Sequence, residues 1–247
     1  RYLDGKLRII PPPVALPAAV PEVTRAFRQK HGVDGRPVIG IICRLAAEKG
    51  VEVLLKALPL VQRAHPDAIV LHAGQTENVI GEEAYAAKLK PLFERHKTAY
   101  RLLGNIEGAE LTAFYQSLDC LCVPSLNSTE SFGLVQIEAM RSGVPVAACS
   151  LPGVRQPVTM TGMGEVTAVG DHEALAAAIS RILDDRAAYQ RPADLIAASF
   201  APAETAAQYA ALFAELLGGQ APAGTPEPAA YERLRRMRDG VGNKGSK

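Results

Sequence analysis

The stretch Cys120-Leu-Cys-Val123-Pro124-Ser-Leu-Asn127-Ser-Thr-Glu130-Ser131-Phe132-Gly133-Leu134-Val135-Gln-Ile-Glu138-Ala-Met140 decides the reading of this chain. Its first four residues form an apolar run of strand length, and Pro124, which cannot donate to a β-ladder, stops it. Asn127 to Ser131 supply polar loop and capping residues, and a helical stretch opens near Phe132. Glu130 therefore sits in the loop and Glu138 on the helix. A helix that starts just past a small, glycine-containing turn leaves its first backbone N–H groups unpaired and carries a partial positive charge there, which suits phosphate. Gly133 lets a ligand come close to the backbone. Glu138, about one and a half turns in, can accept hydrogen bonds from vicinal hydroxyls such as those of a ribose. Taken alone, the two glutamates fit equally an ordinary helix cap at Ser131 and a surface carboxylate, so the rest of the chain has to discriminate.

Outward from this stretch the pattern alternates. Apolar runs of strand length occur at 38–43, 68–73, 100–103, 120–123 and 145–150, separated by helical patterns at 49–64, 82–96, 109–118 and 132–142. Buried apolar strands alternating with amphipathic helices define an α/β fold, a Rossmann-like parallel sheet with helices on both faces. Ligands of such sheets bind beyond the carboxyl ends of the strands. Arg44, Gly74, Gly104, Ser125 and Ser150 all fall just past or at a strand end, so the candidate residues converge on one rim. Asp171 is the expected N-cap of a helix at 172–183, and a last helix at 203–217 carries Tyr209, Leu212, Phe213 and Leu216 at helical spacing.

Three segments carry a family resemblance. Glu130-Ser-Phe-Gly-Leu, followed by Glu138-Ala-Met-Arg-Ser-Gly-Val-Pro-Val-Ala, resembles the Glu-x7-Glu signature of retaining GT-B glycosyltransferases, the group that includes glycogen synthase and sucrose synthase. Val38-Ile-Gly-Ile-Ile-Cys-Arg44-Leu-Ala-Ala-Glu-Lys49-Gly50 is similar to that group's strand followed by an Arg and, five residues on, a Lys. Leu102-Leu-Gly104-Asn-Ile106, with Glu110-Leu111 after it, is a weaker likeness to the strand and loop that border the nucleobase. The resemblance departs at the rim: Cys43 stands where Gly commonly precedes the Arg, and Leu151 to Gln156 stand where Gly-Gly-x-x-Glu is usual.

The resemblance implies the C-terminal, donor-binding half of a GT-B fold. Residues 1–36 would be a linker from an N-terminal acceptor domain absent from this chain, 37–217 the nucleotide-sugar-binding domain, and 218–247 a flexible tail with a short helix at 231–238. It further implies a hexosyl-type transferase that needs no cofactor and no metal, its donor an NDP-sugar of UDP, GDP or ADP type. Arg44 and Lys49 would grip the diphosphate and Glu130 would face the transferred sugar. Leu134 and Val135 would give backbone N–H groups to phosphate, Ser131, Phe132 and Gly133 beside them would also bind the donor, Glu138 would hold the ribose, and Gly104 with Ile106 would border the base. A chain lacking the acceptor half would bind nucleotide and transfer little. Two other readings fit the same motifs: a non-catalytic nucleotide-sugar-binding subunit or sensor, and an NDP-sugar epimerase or hydrolase.

Bulk properties are compatible with this. The 247 residues suffice for one domain with extensions. A net charge of +1, from 27 basic and 26 acidic residues, supplies no field that would recruit nucleic acid. The four cysteines lack metal-site spacing and lie in or beside apolar runs, which reads as small buried hydrophobes in a reducing, cytoplasmic compartment. No stretch reaches the length of a membrane span. Asp184-Asp185 ends a helix without a third carboxylate nearby, and His72, on a strand, reads as a core or rim residue.

Overall fold

The computed structural model describes residues 10–218 and Leu234. Six strands, β1 Val38–Ile42, β2 Ile69–Ala73, β3 Tyr100–Gly104, β4 Cys120–Val123, β5 Val146–Cys149 and β6 Gly164–Thr167, form one sheet in the order β3-β2-β1-β4-β5-β6. All neighbours pair in parallel. Nine helices accompany them among the described residues: α1 Pro21–His31, α2 Val51–Ala64, α3 Glu83–Arg95, α4 Gly108–Gln116, α5 Leu134–Arg141, α6 Gln156–Thr161, α7 His172–Asp184, α8 Ala193–Ser199 and α9 Pro202–Leu216.

The central strands β1, β2, β4 and β5 are rich in apolar residues because both faces of the sheet are covered there. Successive residues enter opposite cores, as the period of two demands. Ile69, Leu71, Leu121, Val146 and Ala148 join Phe114, Tyr115, Ile137 and Met140 on one face. Ile39, Ile41, Val70, Cys120 and Ala147 join Leu54, Leu58, Leu89 and Ile179 on the other. The Rossmann-like parallel sheet is therefore as expected, with differences of detail. A sixth strand, β6, extends the edge; its sequence Gly-Glu-Val-Thr has no apolar run, because only Thr167 is buried. The short α6 and α8 were not expected either.

The stretch expected to be a linker is part of the folded unit from Ile10 onward. Val14, Phe27 and Val33 are buried in the first core, α1 packs on α4, and the Val14 amide donates to the Phe200 carbonyl at 2.8 Å. Asp171 caps α7 as its sequence position predicts, its Oδ1 accepting from the amides of Glu173 (3.1 Å) and Ala174 (2.9 Å). On α9 only Thr205 is fully buried. Tyr209, Phe213 and Leu216 are 46%, 56% and 72% exposed, so the apolar stripe finds no cover within the described residues. The expected tail, 218–247, lies outside the described residues except for Gly218 and for Leu234, which is helical and buried. No helix among the described residues is long and apolar enough to cross a membrane.

Candidate functional site

The strand order reverses between β1 and β4. The chain leaves β1 toward β2 and leaves β4 toward β5, so the loops that follow these two strands diverge and open a crevice at the carboxyl edge of the sheet. A cleft of about 430 Å³ lies there. Its floor is the end of β1 with Cys43 and Arg44, and the end of β4 with Pro124 and Ser125; its walls are Lys49, Glu130 and the start of α5.

The start of α5 differs from the sequence expectation in a way that matters. The helix begins at Leu134, later than expected, and its N-cap is Gly133, at φ +79°, with no side-chain cap. Ser131 is exposed and is no cap at all. The Gln136 amide is taken by the Gly133 carbonyl at 2.9 Å, whereas Leu134 and Val135, which line the cleft, have no preceding turn to donate to. The buried Gln136 side chain donates through Nε2 to the Val154 carbonyl at 2.8 Å and so ties the helix start to the loop after β5.

Lys49 is not the first residue of a helix. It closes a single 3₁₀ turn, Ala47–Lys49, and Gly50, at φ +67°, then redirects the chain into α2. A Cβ on Gly50 would stand 2.1 Å from the Pro124 carbonyl oxygen, so the loop after β1 lies directly on the loop after β4. The Leu126 amide, donating to the Glu48 carbonyl at 2.8 Å, fastens the two together. This packing brings Lys49 Nζ to 2.9 Å from Glu130 Oε2, with side chains 22% and 25% exposed. Arg44 donates to Glu48 Oε1 at 2.6 Å. Burial opposes ionisation of Glu48, but a backbone hydrogen bond and the Arg44 guanidinium outweigh it and hold the carboxyl below its usual range.

Glu138 follows Leu134 by four residues and therefore shares its helix face, about 6 Å further along the axis. It does not line the cleft. Its Oε2 accepts a hydrogen bond of 2.5 Å from Tyr115 of α4. Gly104, Ile106, Ser131 and Phe132 are likewise outside the cleft. Gly104 ends β3 at φ +71°, Ile106 packs partly buried against the first core, and the Phe132 ring lies 6.4 Å from that of Phe200. The cleft thus gathers Arg44, Lys49, Glu130, Gly133, Leu134 and Val135.

Other titratable groups nearby are structural. His72 is fully buried, with Nε2 3.0 Å from the Cys43 carbonyl and Nδ1 3.0 Å from the Tyr100 hydroxyl; burial lowers its pKa to about 4, so it is neutral at pH 7. The Cys43 thiol borders the cleft, and burial pushes its pKa up to about 12, which keeps it protonated at pH 7. Asp185 accepts from the Ala188 amide at 3.2 Å, a local cap. Among the described residues no group of three or more His, Cys, Asp or Glu is arranged to hold a metal ion. Sequence reasoning missed Glu48, whose i,i+4 spacing from Arg44 was the available signal, and Tyr115, which had none.

An order-reversing parallel sheet with a crevice at its switch point, lined by two cations and a helix N-terminus, defines a Rossmann-type α/β protein. Within that class the assignment is specific: the model for Glycosyl transferases group 1 matches residues 23–199, and the chain belongs to this family. It is 35% identical over 169 residues to a glycogen synthase of Mycobacterium tuberculosis, an alignment covering 68% of this chain and 39% of the relative. A GDP-mannose-dependent monoacylated alpha-(1-6)-phosphatidylinositol monomannoside mannosyltransferase of Corynebacterium glutamicum is 31% identical over 173 residues, 68% of this chain and 43% of that one. The chain thus spans about two-fifths of these relatives. Among solved structures, Anabaena Alr3699/HepE in complex with UDP superposes with a TM-score of 0.65 at 25% identity, over 81% of this chain and 53% of that one.

Proposed function

We propose that this chain is the donor-binding half of a retaining, metal-independent glycosyltransferase that takes a hexosyl group from a nucleoside diphosphate sugar. The observation that carries the reading is the convergence of Arg44, Lys49 and the free amides of Leu134 and Val135 on one cleft. Two cations and two N–H donors suit the diphosphate in the ground state and match the charge that grows on it as the glycosidic bond breaks. That charge balance is what makes a metal unnecessary on this reading. On this reading Glu138, one helical turn beyond the amides, takes the ribose hydroxyls, and Glu130 faces the sugar.

In the retaining step the bond from the anomeric carbon to the β-phosphate oxygen breaks, and the acceptor oxygen bonds to that carbon on the same face. The acceptor proton passes to the departing phosphate oxygen, whose negative charge Arg44 and Lys49 hold. The acceptor site belongs, on this reading, to the part of the relatives that this chain does not span, so the chain alone binds nucleotide and transfers little. Calorimetric titration with UDP, GDP and ADP, with and without EDTA, tests the proposal. Binding of one of them, insensitive to EDTA and weakened at least tenfold in Arg44→Ala and Glu138→Ala, is the expected result. A folded protein that binds none, or variants that bind as the parent does, overturns it.

A further inference from the structure

No fully buried side chain among the described residues is larger than Tyr115. It stands in the first core beside Phe114, where a phenylalanine would fill nearly the same volume. The hydroxyl is therefore not required by packing, and a buried phenol O–H must be given a partner. That partner is Glu138 Oε2, at 2.5 Å, on the helix face that continues from the cleft. The other carboxylate oxygen, Oε1, has no hydrogen-bond partner among the described residues. A core residue of α4 thus reaches across to a part-buried carboxylate of α5 and occupies one of its two oxygens.

We propose that Tyr115 is a positioning residue for nucleotide recognition: its hydroxyl locks the Glu138 side chain so that Oε1 is presented to the ribose hydroxyls of the donor. The inference rests on the reading of Glu138 as the ribose acceptor. Without the phenol, the part-buried Glu138 side chain has three rotatable bonds and no hydrogen-bond partner among the described residues, and the nucleotide has to order it on binding. Burial, followed by the adjacent Glu138 charge, raises the Tyr115 pKa far above its usual value, so the hydroxyl stays a donor at every pH the fold tolerates. Tyr115 touches no substrate atom and has no part in bond cleavage.

The test compares a ribonucleotide, whichever of UDP, GDP or ADP binds, with its 2′,3′-dideoxy counterpart. Dissociation constants are measured for the parent, Tyr115→Phe, Glu138→Ala and the double variant. Tyr115→Met, apolar and pliable, is measured in parallel so that the outcome does not hang on the folding of one variant. Tyr115→Phe should weaken the ribonucleotide roughly three- to tenfold and leave the dideoxynucleotide unchanged, and it should have no further effect once Glu138 is alanine. A purely structural tyrosine would weaken both nucleotides alike, or act additively with Glu138→Ala, and either result overturns the proposal; so does unchanged discrimination in both Tyr115 variants. If the parent binds no nucleotide, or Glu138→Ala leaves the ribose preference intact, the reading of Glu138 itself falls, and Tyr115 with it.

Discussion

Replacing Lys49 by alanine separates what the ion pair contributes to the fold from what the lysine contributes to the ligand. Lys49 and Glu130 meet at 2.9 Å with about a quarter of each side chain exposed. Lys49→Ala leaves the Glu130 carboxylate without its partner, so its cost in stability should lie between the about 0.2–1 kcal/mol of a solvent-exposed pair and the about 3–5 kcal/mol of a fully buried one. A charge-assisted contact to phosphate is worth about 1.5–3 kcal/mol, and each ~1.4 kcal/mol is tenfold in affinity, but in the parent that contact replaces part of the Glu130 pair, so the same substitution should weaken nucleotide binding by less than the roughly 10- to 150-fold that an unpaired lysine would give. Glu130→Gln should move binding the other way. It removes the carboxylate that competes with phosphate for Lys49, tightening the nucleotide by up to roughly fivefold while sacrificing the sugar-facing group. Calorimetry at low and at about 0.15 M salt, with urea unfolding alongside, reads both quantities; the Lys49 effect should shrink at the higher salt. Equal affinity of Lys49→Ala and parent, or both variants moving in the same direction, would refute the assignment of Lys49 to the phosphate.

Two further substitutions probe the frame around the cleft. Gly50→Ala forces a left-handed conformation on a residue with a Cβ, at about 1–2 kcal/mol, and drives that atom to 2.1 Å from the Pro124 carbonyl oxygen. Unfolding free energy should fall by at least ~2 kcal/mol and nucleotide binding should weaken as Lys49 is displaced; a loss below about 0.5 kcal/mol contradicts the packing of the two loops. His72, at about 4 in the folded state against 6.5 unfolded, is proton-free in both states above pH 6.5. Between pH 6.5 and 4 only the unfolded chain takes up its proton, so stability is lost as pH falls through that window, by about 3 kcal/mol at most. The stability gap between parent and His72→Gln should therefore narrow by roughly 2 kcal/mol from about pH 7 to about pH 4.5, and a constant gap means that the imidazole is not buried neutral.

Much of this architecture is legible in the chain because its signals are local. Four strands, β1, β2, β4 and β5, announce themselves as apolar runs since each is buried on both faces, the edge strand β3 shows through Tyr100, Leu102 and Leu103 although only Tyr100 is buried, and Asp171 announces α7 because capping is a matter of two or three residues. β6 is silent because an edge strand with one buried residue needs no apolar run. The 1–36 stretch hides its helix's role because Phe27 alone is buried in α1, and a single aromatic carries no periodicity. At the site, Arg44, Lys49 and Glu130 could be named because the family resemblance points to them and Arg44 directly follows a buried strand. Where Lys49 points could not, since that is set by Gly50 resting on Pro124, a contact between residues 74 positions apart. Tyr115 was invisible for the same reason: its hydroxyl has a purpose only once α4 and α5 lie side by side.

Both cations of the cleft already have a carboxylate inside the chain, and the two pairs differ in a way that bears on mechanism. Glu48 is 14% exposed and its backbone is anchored by Leu126, whereas its partner Arg44 is 53% exposed. Arg44 can turn to an incoming phosphate while Glu48 stays. Lys49 and Glu130 are buried to the same extent, and neither is free to move without changing the other's surroundings. On the proposed reading, a diphosphate that draws on the charge of Lys49 loosens its hold on Glu130, so occupancy of the phosphate position and release of the sugar-facing carboxylate are one event. The affinity delivered by Lys49 is then the difference between two ion pairs rather than the worth of one. That is why Glu130→Gln, which abolishes the competing pair, is the substitution whose sign depends most directly on this arrangement.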